Sequence, residues 1–301
     1  MGTKKKGLKK YMRYEGTVYR PPSEASSLII QLTIGCARNT CTFCAMYKDK
    51  TFRVRDLQEV VEDLEMARKY YQRIKVRRIF LADGDALIVK TEDLLYILNK
   101  CKEYFPEVER ISVYGAPKDI IHKTPEELKQ LKEAGLDMVY MGLESGDDQV
   151  LKEVKKGVTA AEMIEAGQKV RAAGMVLSMT IISGLGGKKL MREHALNSAK
   201  VISAIKPEFV GFLTLLLEPG TPMYEQYRAG ELDLLSPEEV LDETQLFIEN
   251  VDAEGTVFRA NHASNYIPLA GTLNAEKHII LEQIKRSKEQ SSYRPETFRA
   301  L

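Results

Sequence analysis

Three of the four cysteines lie within nine residues of one another, at Cys36, Cys41 and Cys44. Their thiolates could hold zinc or an iron–sulfur cluster. A structural zinc site needs a fourth ligand from a distant side chain, because the four histidines are scattered and Cys101 lies in an amphipathic stretch. A cube of iron and sulfur bound by three cysteines instead leaves one iron open to another ligand. An open iron is useful only to an enzyme that must bind something there.

The cysteines follow the first of six short apolar runs rich in β-branched and aromatic residues. Between the runs, apolar residues recur at the spacing of amphipathic helices. The runs are 28–34, 77–82, 109–114, 137–142, 176–182 and 208–216, and the helical stretches are 57–67, 91–104, 125–134, 147–156, 160–173 and 189–205. Six strand–helix units in tandem predict an α/β fold with a parallel sheet, either open and doubly wound or a partial (βα)6 TIM barrel. In both, the chemistry is expected at the carboxyl ends of the strands.

We expect one domain over residues 20–230, because no linker or repeat interrupts this pattern. Residues 1–19 are predicted to be a basic, flexible N-terminal segment, and residues 231–301 a C-terminal extension of the same domain. The extension is predicted to contain helices at 236–250 and 274–289 and a seventh strand at Val257–Arg259.

The composition is that of an ordinary soluble globular chain, with 301 residues of which 44% are hydrophobic and 29% charged. Forty-four basic side chains against 43 acidic ones give a net charge of +1. This balance argues against a protein that coats nucleic acid or an anionic membrane. No apolar run is long enough to span a bilayer, and the N-terminus lacks the apolar core of a secretory signal. We therefore expect a cytoplasmic protein.

The segment Gly35-Cys36-Ala-Arg-Asn-Thr-Cys41-Thr-Phe43-Cys44 resembles the cluster loop of the radical S-adenosylmethionine (SAM) superfamily. Phe43 matches the aromatic residue that precedes the last cysteine there. The first gap is one residue longer than the usual one. The resemblance implies that the three cysteines hold a 4Fe-4S cluster whose open iron binds SAM.

Further motifs at successive strand ends, which together span about 28–225, resemble the same superfamily. The run 82–87 is similar to the short motif that binds the SAM amino group, and the segment after the fourth run resembles coproporphyrinogen oxidases, Elongator-type subunits and methylthiotransferases. The resemblance implies that Glu144 faces the SAM ribose, that Lys156 faces its carboxylate and that Asp85 holds its ammonium. The implied SAM contacts are Phe43, Gly84, Asp85, Ala86, Glu144, Lys156, Thr180 and Leu216.

The resemblance implies a SAM-cleaving enzyme that abstracts hydrogen from a small-molecule substrate, with electrons from a flavodoxin- or ferredoxin-type donor. Only Cys101 remains for a second cluster, so a single-cluster lyase or oxidoreductase is expected. A lyase acting on a nucleoside-like substrate such as queuosine is one candidate. The alternative is a non-catalytic barrel with a zinc knuckle at 36–44, which binds RNA or protein with help from the basic stretch 4–10.

Several of these residues have a plain structural interpretation as well. Lys156 lies in a charged run typical of a solvated helix, and Thr180 suits a strand without any function. The polar residues within 258–266 could form an ordinary turn, or close the barrel and line the substrate side. Arg53 could bind an acidic substrate group or the following helix. The candidate substrate contacts are Arg53, Tyr114, Asn261, His262 and Asn265.

Overall fold

The computed structural model describes residues 12–300. The basic stretch 4–10, and with it most of the predicted N-terminal segment 1–19, lies outside the described residues. The chain folds into helices and a mostly parallel sheet, so the predicted α/β class is confirmed. Its residues divide into two compact units.

The strands are β1 (Leu28–Gln31), β2 (Thr33–Ile34), β3 (Arg53–Val54), β4 (Arg78–Ala82), β5 (Arg110–Tyr114), β6 (Leu136–Glu144), β7 (Val176–Ser183), β8 (Phe209–Thr214), β9 (Val257–Arg259) and β10 (Ala270–Thr272). The helices are α1 (Leu57–Tyr70), α2 (Thr91–Tyr104), α3 (Pro117–His122), α4 (Pro125–Glu133), α5 (Asp148–Glu153), α6 (Ala160–Ala172), α7 (Met191–Ile205), α8 (Pro222–Arg228), α9 (Pro237–Asn250) and α10 (Lys277–Glu289).

The first unit comprises the described residues up to Asn39 together with Met46–Tyr140 and Ala172–Met175. In it β1 pairs with β4, β4 with β5, and β5 with the first half of β6, all in parallel. These strands are apolar along nearly their whole length because the sheet is buried on both faces. Helices α1 and α2 pack against each other, and α1 also contacts β1.

The predicted first strand, 28–34, is interrupted in the structure. β1 ends at Gln31, and Thr33–Ile34 pairs instead with Arg53–Val54 as a two-stranded antiparallel sheet. The backbone N–H of Arg55 donates to the carbonyl of Leu32 at 3.1 Å, which continues this pairing. The two strands close the base of the loop that begins at Gly35. An apolar run alone does not show which partner supplies its backbone hydrogen bonds.

The second unit comprises Thr40–Ala45, Met141–Arg171 and the residues from Val176 onward. β7 and β8 pair in parallel, β8 and β9 likewise, and β10 joins β9 antiparallel. Buried and half-buried residues alternate along β7 and β8. Phe212 of β8 and Phe258 of β9 lie on one face and pack against Phe247 of α9, with ring centroids 4.7 to 6.3 Å apart. Helix α9 therefore covers one face of these strands.

The C-terminal elements follow the predicted order. β9 has the expected bounds, and α9 and α10 start one and three residues later than predicted. A capping box of Ser236 and Glu239 starts α9. Sequence periodicity missed α3, α8, β3 and β10, because such short elements often show too little of a repeat. Among the described residues, no helix is long and apolar enough to cross a membrane.

We expect Phe258→Ala to destabilise the protein by about 3–5 kcal/mol, because Phe258 is fully buried and its loss leaves a cavity against Phe247 and Phe212. Phe298→Ala is the matched control, since Phe298 is 72% exposed and its loss should change stability by about 0.5 kcal/mol or less. Urea unfolding followed by circular dichroism measures both. Equal effects of the two substitutions would show that α9 does not form this part of the core.

Candidate functional site

Cys36 lies just after β2, and its position depends on the glycine before it. Gly35 has a positive φ of 75°, which a residue with a side chain rarely adopts. Its N–H donates to Asp83 Oδ2 at 3.2 Å, and its carbonyl accepts from the N–H of Gly84 at 3.1 Å. Asp83 and Gly84 directly follow β4. The start of the cysteine loop is thus hydrogen-bonded to the carboxyl end of a neighbouring strand.

The far end of the same loop reaches the same carboxylate. Lys50 Nζ lies 2.7 Å from Asp83 Oδ2, with 5% of the lysine side chain and none of the aspartate side chain exposed. Lys50 Nζ also donates to the carbonyl of Thr17, and Gln31 Nε2 donates to Asp83 Oδ2 at 3.3 Å. One buried carboxylate oxygen therefore binds the residue before Cys36 and the residue three positions before β3. The sequence placed Asp83 in the motif at 82–87 without a role of its own and gave no sign of Lys50.

Gly84 packs directly against the cysteine loop. A Cβ at this position would lie 2.7 Å from the ring carbon Cε2 of Tyr47 and 3.0 Å from Cβ of Cys36. Real Cβ atoms do not approach so closely, so this site requires glycine. Ala86, two residues on, is fully buried.

Asp85 is a buried acid with one unused oxygen. Its Oδ1 accepts a hydrogen bond from the N–H of Ala116 at 3.1 Å, while Oδ2 receives no donor from the described residues. Burial, and then the neighbouring carboxyl of Asp119, raise the pKa of Asp85 well above its usual value. A buried carboxylate oxygen that lacks a donor suits the ammonium group of a ligand.

In the second unit, Thr42 and Phe43 hold the remaining part of the cysteine loop. The N–H of Thr42 donates to the carbonyl of Val154, and the carbonyl of Thr42 accepts from the N–H of Met223, both at 3.0 Å. Phe43 packs against an apolar cluster that includes Val154 and Met223. The flanking Cys41 and Cys44 are half-buried. Phe43 is therefore a packing residue of the second unit.

The four thiols differ in environment. Cys36, Cys41 and Cys44 are half-buried, whereas Cys101 is buried inside α2, where burial raises its pKa to about 12. Their partial exposure leaves the first three accessible to a metal, whereas Cys101 is enclosed by the protein. Cys101, which the sequence places in an amphipathic stretch, lies on the buried side of α2. Within residues 12–300, no group of three or more His, Cys, Asp and Glu side chains is arranged so that it could hold a metal ion.

Glu144 and Lys156 form an ion pair at the carboxyl end of β6. Lys156 Nζ donates to Glu144 Oε1 at 2.8 Å, with 15% and 13% of the two side chains exposed. Glu144 has a positive φ of 61°, and a Cβ at position 142 would lie 2.0 Å from its carboxylate oxygen, so Gly142 leaves room for the bent-back side chain. The structure therefore brings together two residues that are twelve positions apart in the sequence.

Thr180 and Leu216 lie on adjacent parts of the second unit. Thr180 is half-buried in β7, on the face opposite to the buried Met179 and Ile181. Leu216 follows β8 and is half-buried. Its neighbours on either side, Leu215 and Leu217, pack into the apolar cluster that Phe43 also contacts.

The predicted substrate residues of the first unit have protein partners. Arg53 in β3 pairs with Glu15 at 2.5 Å, and both side chains are nearly half exposed. The ring of Tyr114 packs edge-on against Phe80 and Tyr140, with centroids 5.0 and 6.2 Å away. Arg55, two residues after Arg53, binds the following helix through Asp63 at 2.6 Å.

The predicted substrate residues of the second unit differ in accessibility. Asn265 is buried: its Oδ1 accepts from Thr214 Oγ1 at 2.9 Å and its Nδ2 donates to the Phe212 carbonyl at 2.8 Å. His262 is half-buried beside Ser264, and burial followed by the charge of Arg294 lowers its pKa. Asn261 is exposed. Asn265 therefore stabilises the fold, while Asn261 can reach a ligand.

A buried polar chain in the second unit also escaped the sequence analysis. Glu243 of α9 accepts from Ser183 Oγ at 2.6 Å and from the N–H of Gly184 at 2.8 Å, and His194 Nε2 lies 3.7 Å away. His194 Nδ1 lies 2.8 Å from Ser145 Oγ. The chain connects helices α7 and α9 to the turns that follow β6 and β7. The available signal was an ionisable His and Glu on the core-facing stripes of two amphipathic helices, where the other buried residues are uncharged.

Comparison with known proteins adds an independent finding. The sequence model of the Radical SAM superfamily matches residues 30–199, more than half of the chain. A putative methylthiotransferase of Methanocaldococcus jannaschii is 27% identical over 52% of this chain and 35% of its own length. The heme chaperone HemW of Bacillus subtilis is 24% identical over 60% of this chain and 47% of its own length. The solved structure of coproporphyrinogen III oxidase (HemN) from Escherichia coli matches 74% of this chain and 52% of its own, with a TM-score of 0.54 and 18% identity.

The chain spans less than half the length of these two curated relatives. The structural match shows a shared fold. The matched segment contains the cysteine loop, the turn after β4 and the ion pair at the end of β6.

We expect Lys50→Met to destabilise the protein by about 3–5 kcal/mol, because it leaves the buried carboxylate of Asp83 without its cation. The double variant Lys50→Met, Asp83→Asn should recover most of this loss, since it removes both charges. Lys69→Met breaks the exposed pair with Glu65 and should cost about 1 kcal/mol or less. Urea unfolding of the apo-protein compares the three. A Lys50→Met effect no larger than that of Lys69→Met would refute the role of this pair.

We expect Asp85→Asn to stabilise the apo-protein increasingly as the pH rises above about 4, the usual pKa of an unfolded aspartate. The folded pKa of Asp85 is raised, so the folded state holds the proton more tightly than the unfolded state. The stability that this provides is complete below the unfolded pKa and is lost as the pH rises through the folded pKa. Urea unfolding from acid to neutral pH measures the difference.

Asp233→Asn is the control for this substitution, because Asp233 is exposed. Its stability relative to the wild type should stay constant over the same pH range. If the stability difference between Asp85→Asn and the wild type is also independent of pH, the pKa of Asp85 is not raised in the folded protein.

Proposed function

Since the chain belongs to the radical SAM superfamily, whose members use a 4Fe-4S cluster and SAM, we propose that it is a single-cluster enzyme acting on a small molecule. The cluster, when bound, supplies the electron that breaks a carbon–sulfur bond of SAM, and the resulting 5′-deoxyadenosyl radical abstracts hydrogen from the substrate. The protein's own residues have to bind and orient SAM and the substrate and exclude water.

The observation that carries the proposal is the unused oxygen of Asp85, one residue after the glycine that packs on Cys36. This acid lies at the carboxyl end of a parallel strand, where ligands of this architecture bind. An ammonium group placed there would receive a charge-assisted hydrogen bond and would hold Asp85 in its ionised form. In the proposal this cation is the amino group of SAM.

The cluster ligands in the proposal are Cys36, Cys41 and Cys44. Their half-buried thiols offer a soft donor set, and each would bind a different iron atom of a cube. The three therefore need not converge on one ion. Cys101, with its raised pKa inside α2, is not a candidate for a further cluster.

Glu144 and Lys156 are proposed to contact the ribose and the carboxylate of SAM. Their ion pair holds both side chains at the end of β6, so that a ligand would meet them already oriented. Lys156 would neutralise the ligand's carboxylate, and Glu144 would accept hydrogen bonds from hydroxyl groups. The proposal completes the set of SAM contacts with Phe43, Gly84, Ala86, Thr180 and Leu216.

Within this class, a lyase acting on a nucleoside-like substrate such as queuosine is the first candidate, and an oxidoreductase acting on another metabolite is the second. Transfer of deuterium from a labelled candidate molecule to 5′-deoxyadenosine would distinguish a substrate from a molecule that does not react. We also propose an external electron donor of the flavodoxin or ferredoxin type and a cytoplasmic location. The near-neutral net charge of +1 favours a small molecule over nucleic acid as the partner.

Protein purified and reconstituted without oxygen should bind about four irons per chain and, once reduced, should cleave SAM. Cys36→Ala should abolish both, whereas Cys101→Ala should keep the iron because Cys101 is buried away from solvent in α2. Glu144→Ala should keep the iron but weaken SAM binding. Metal analysis and assay of 5′-deoxyadenosine measure these effects.

A zinc-knuckle adaptor would behave differently. It would contain about one zinc and no iron, and Glu144→Ala would leave its properties unchanged. That result would remove the enzymatic proposal.

A further inference from the structure

The two faces of strands β7, β8 and β9 are covered differently. Val210 and Phe212 of β8 and Phe258 of β9 are buried on the face that α9 covers. Residues that alternate with them point to the opposite face, because successive side chains of a strand point to opposite sides. On that face β7 and β8 are only half-buried. It therefore lies open within the second unit.

A row of four residues crosses this open face. Thr180 of β7 pairs in register with Gly211 of β8, and Gly211 pairs with Arg259 of β9. On the other side, Arg259 pairs with Ala270 of β10. Residues that are in register on neighbouring strands point to the same face. Arg259 thus stands between a glycine and an alanine, in line with the threonine predicted to contact SAM.

The register neighbours of Arg259 on β8 and β10 carry little or no side chain. A Cβ built on Gly211 would find only one heavy atom within 4 Å, the carbonyl oxygen of Met179 at 3.9 Å. Ala270 is exposed and carries a single methyl group. Neither register neighbour therefore has a side chain long enough to cover the guanidinium.

Arg259 is also the one charged residue in β7, β8 and β9. Its side chain is exposed, and among residues 12–300 it has neither an ion-pair nor a hydrogen-bond partner. Two other arginines of this unit are used by the fold: Arg171 pairs with Glu208, and Arg294 donates to three backbone carbonyls. Arg192 and Arg228 are exposed on helices α7 and α8, away from the strand face. Arg259 is the last residue of β9, whereas β7 and β8 each continue three residues beyond its register row, so Arg259 lies on the open face next to the middle of β8.

We propose that Arg259 binds an oxyanion of the substrate, a carboxylate or a phosphate, on the open face beside Gly211. The inference rests on the proposed function, since it identifies the class of substrate that the same enzyme would accept. A guanidinium binds these groups through two parallel N–H donors, and it does so best where no protein acid competes. Thr180 lies in the same register row and the exposed Asn261 follows β9 by two residues, and both side chains can donate further hydrogen bonds to such a substrate.

The test uses the full chain with its cluster reconstituted and its arginines isotope-labelled for NMR. The Arg259 side-chain signal is assigned from its loss in Arg259→Lys. Inorganic phosphate and succinate are titrated separately at constant ionic strength. We expect the Arg259 signal to shift to saturation with an affinity of about a millimolar for one of the two probes, and the stronger probe identifies the oxyanion. The signal of Arg192, which is exposed on α7, should not saturate.

Two variants separate local binding from long-range charge. Gly211→Val adds bulk next to the guanidinium without changing the net charge and should weaken the binding of the preferred probe about tenfold. Arg192→Gln removes an exposed arginine on the outer helix α7 and should leave probe binding and SAM cleavage unchanged. The absence of saturation at Arg259 with both probes, or equal affinities in wild type and Gly211→Val, would overturn the proposal.

The failure of this inference is distinguishable from the failure of the proposed function. SAM cleavage by the reduced wild-type enzyme is measured without either probe, and its absence counts against the radical enzyme alone. The arginine titration requires no SAM cleavage, so its outcome concerns only the oxyanion site.

Discussion

The buried carboxylate of Asp83 is the constraint on which the cysteine loop depends. A loop as long as the one between β2 and β3 samples many conformations unless both of its ends are fixed. Asp83 Oδ2 accepts from the N–H of Gly35 at one end and from Lys50 Nζ near the other. Because both contacts are buried, water does not compete with them. The position of Cys36 therefore follows from an acid on a neighbouring strand.

The turn after β4 contains two buried acids with different partners. Asp83 is ion-paired with Lys50 through Oδ2, whereas Asp85 forms no ion pair with a described residue; the other oxygen of Asp83, Oδ1, and Oδ2 of Asp85 both lack a donor among the described residues. A buried carboxylate without a cation costs stability, and its pKa rises in response. Asp83 therefore supports the loop with its charge compensated by Lys50. The buried charge of Asp85 has no such partner, and a cationic ligand would stabilise it. Such local destabilisation is common where a protein must bind something.

The sequence predicted the six core strands, α9, α10, β9 and the α/β class, because periodic burial is a local property that a short window contains. The resemblance also implied that Glu144 and Lys156 belong to one site. The sequence could not predict that Asp83 pairs with Lys50, 33 positions away, or that Glu243 meets Ser183 across 60 positions. Nor could it show that the side chain of Asn265 forms hydrogen bonds with Thr214 and with the backbone of Phe212. These contacts form when whole helices and strands pack together, and no local sequence pattern identifies which residue a given side chain will contact.

The charges of the second unit show the same contrast between paired and unpaired groups. Glu144 and Lys156 neutralise each other at the end of β6, and Glu243 is buried beside His194. Arg259 stands apart from these pairs on the open face, flanked by Gly211 and Ala270. A longer residue at either flanking position could cover the guanidinium, and an acid there could neutralise it. With neither present, the strand pairing leaves an arginine with the full set of donors that an oxyanion requires, next to the strand that carries Thr180.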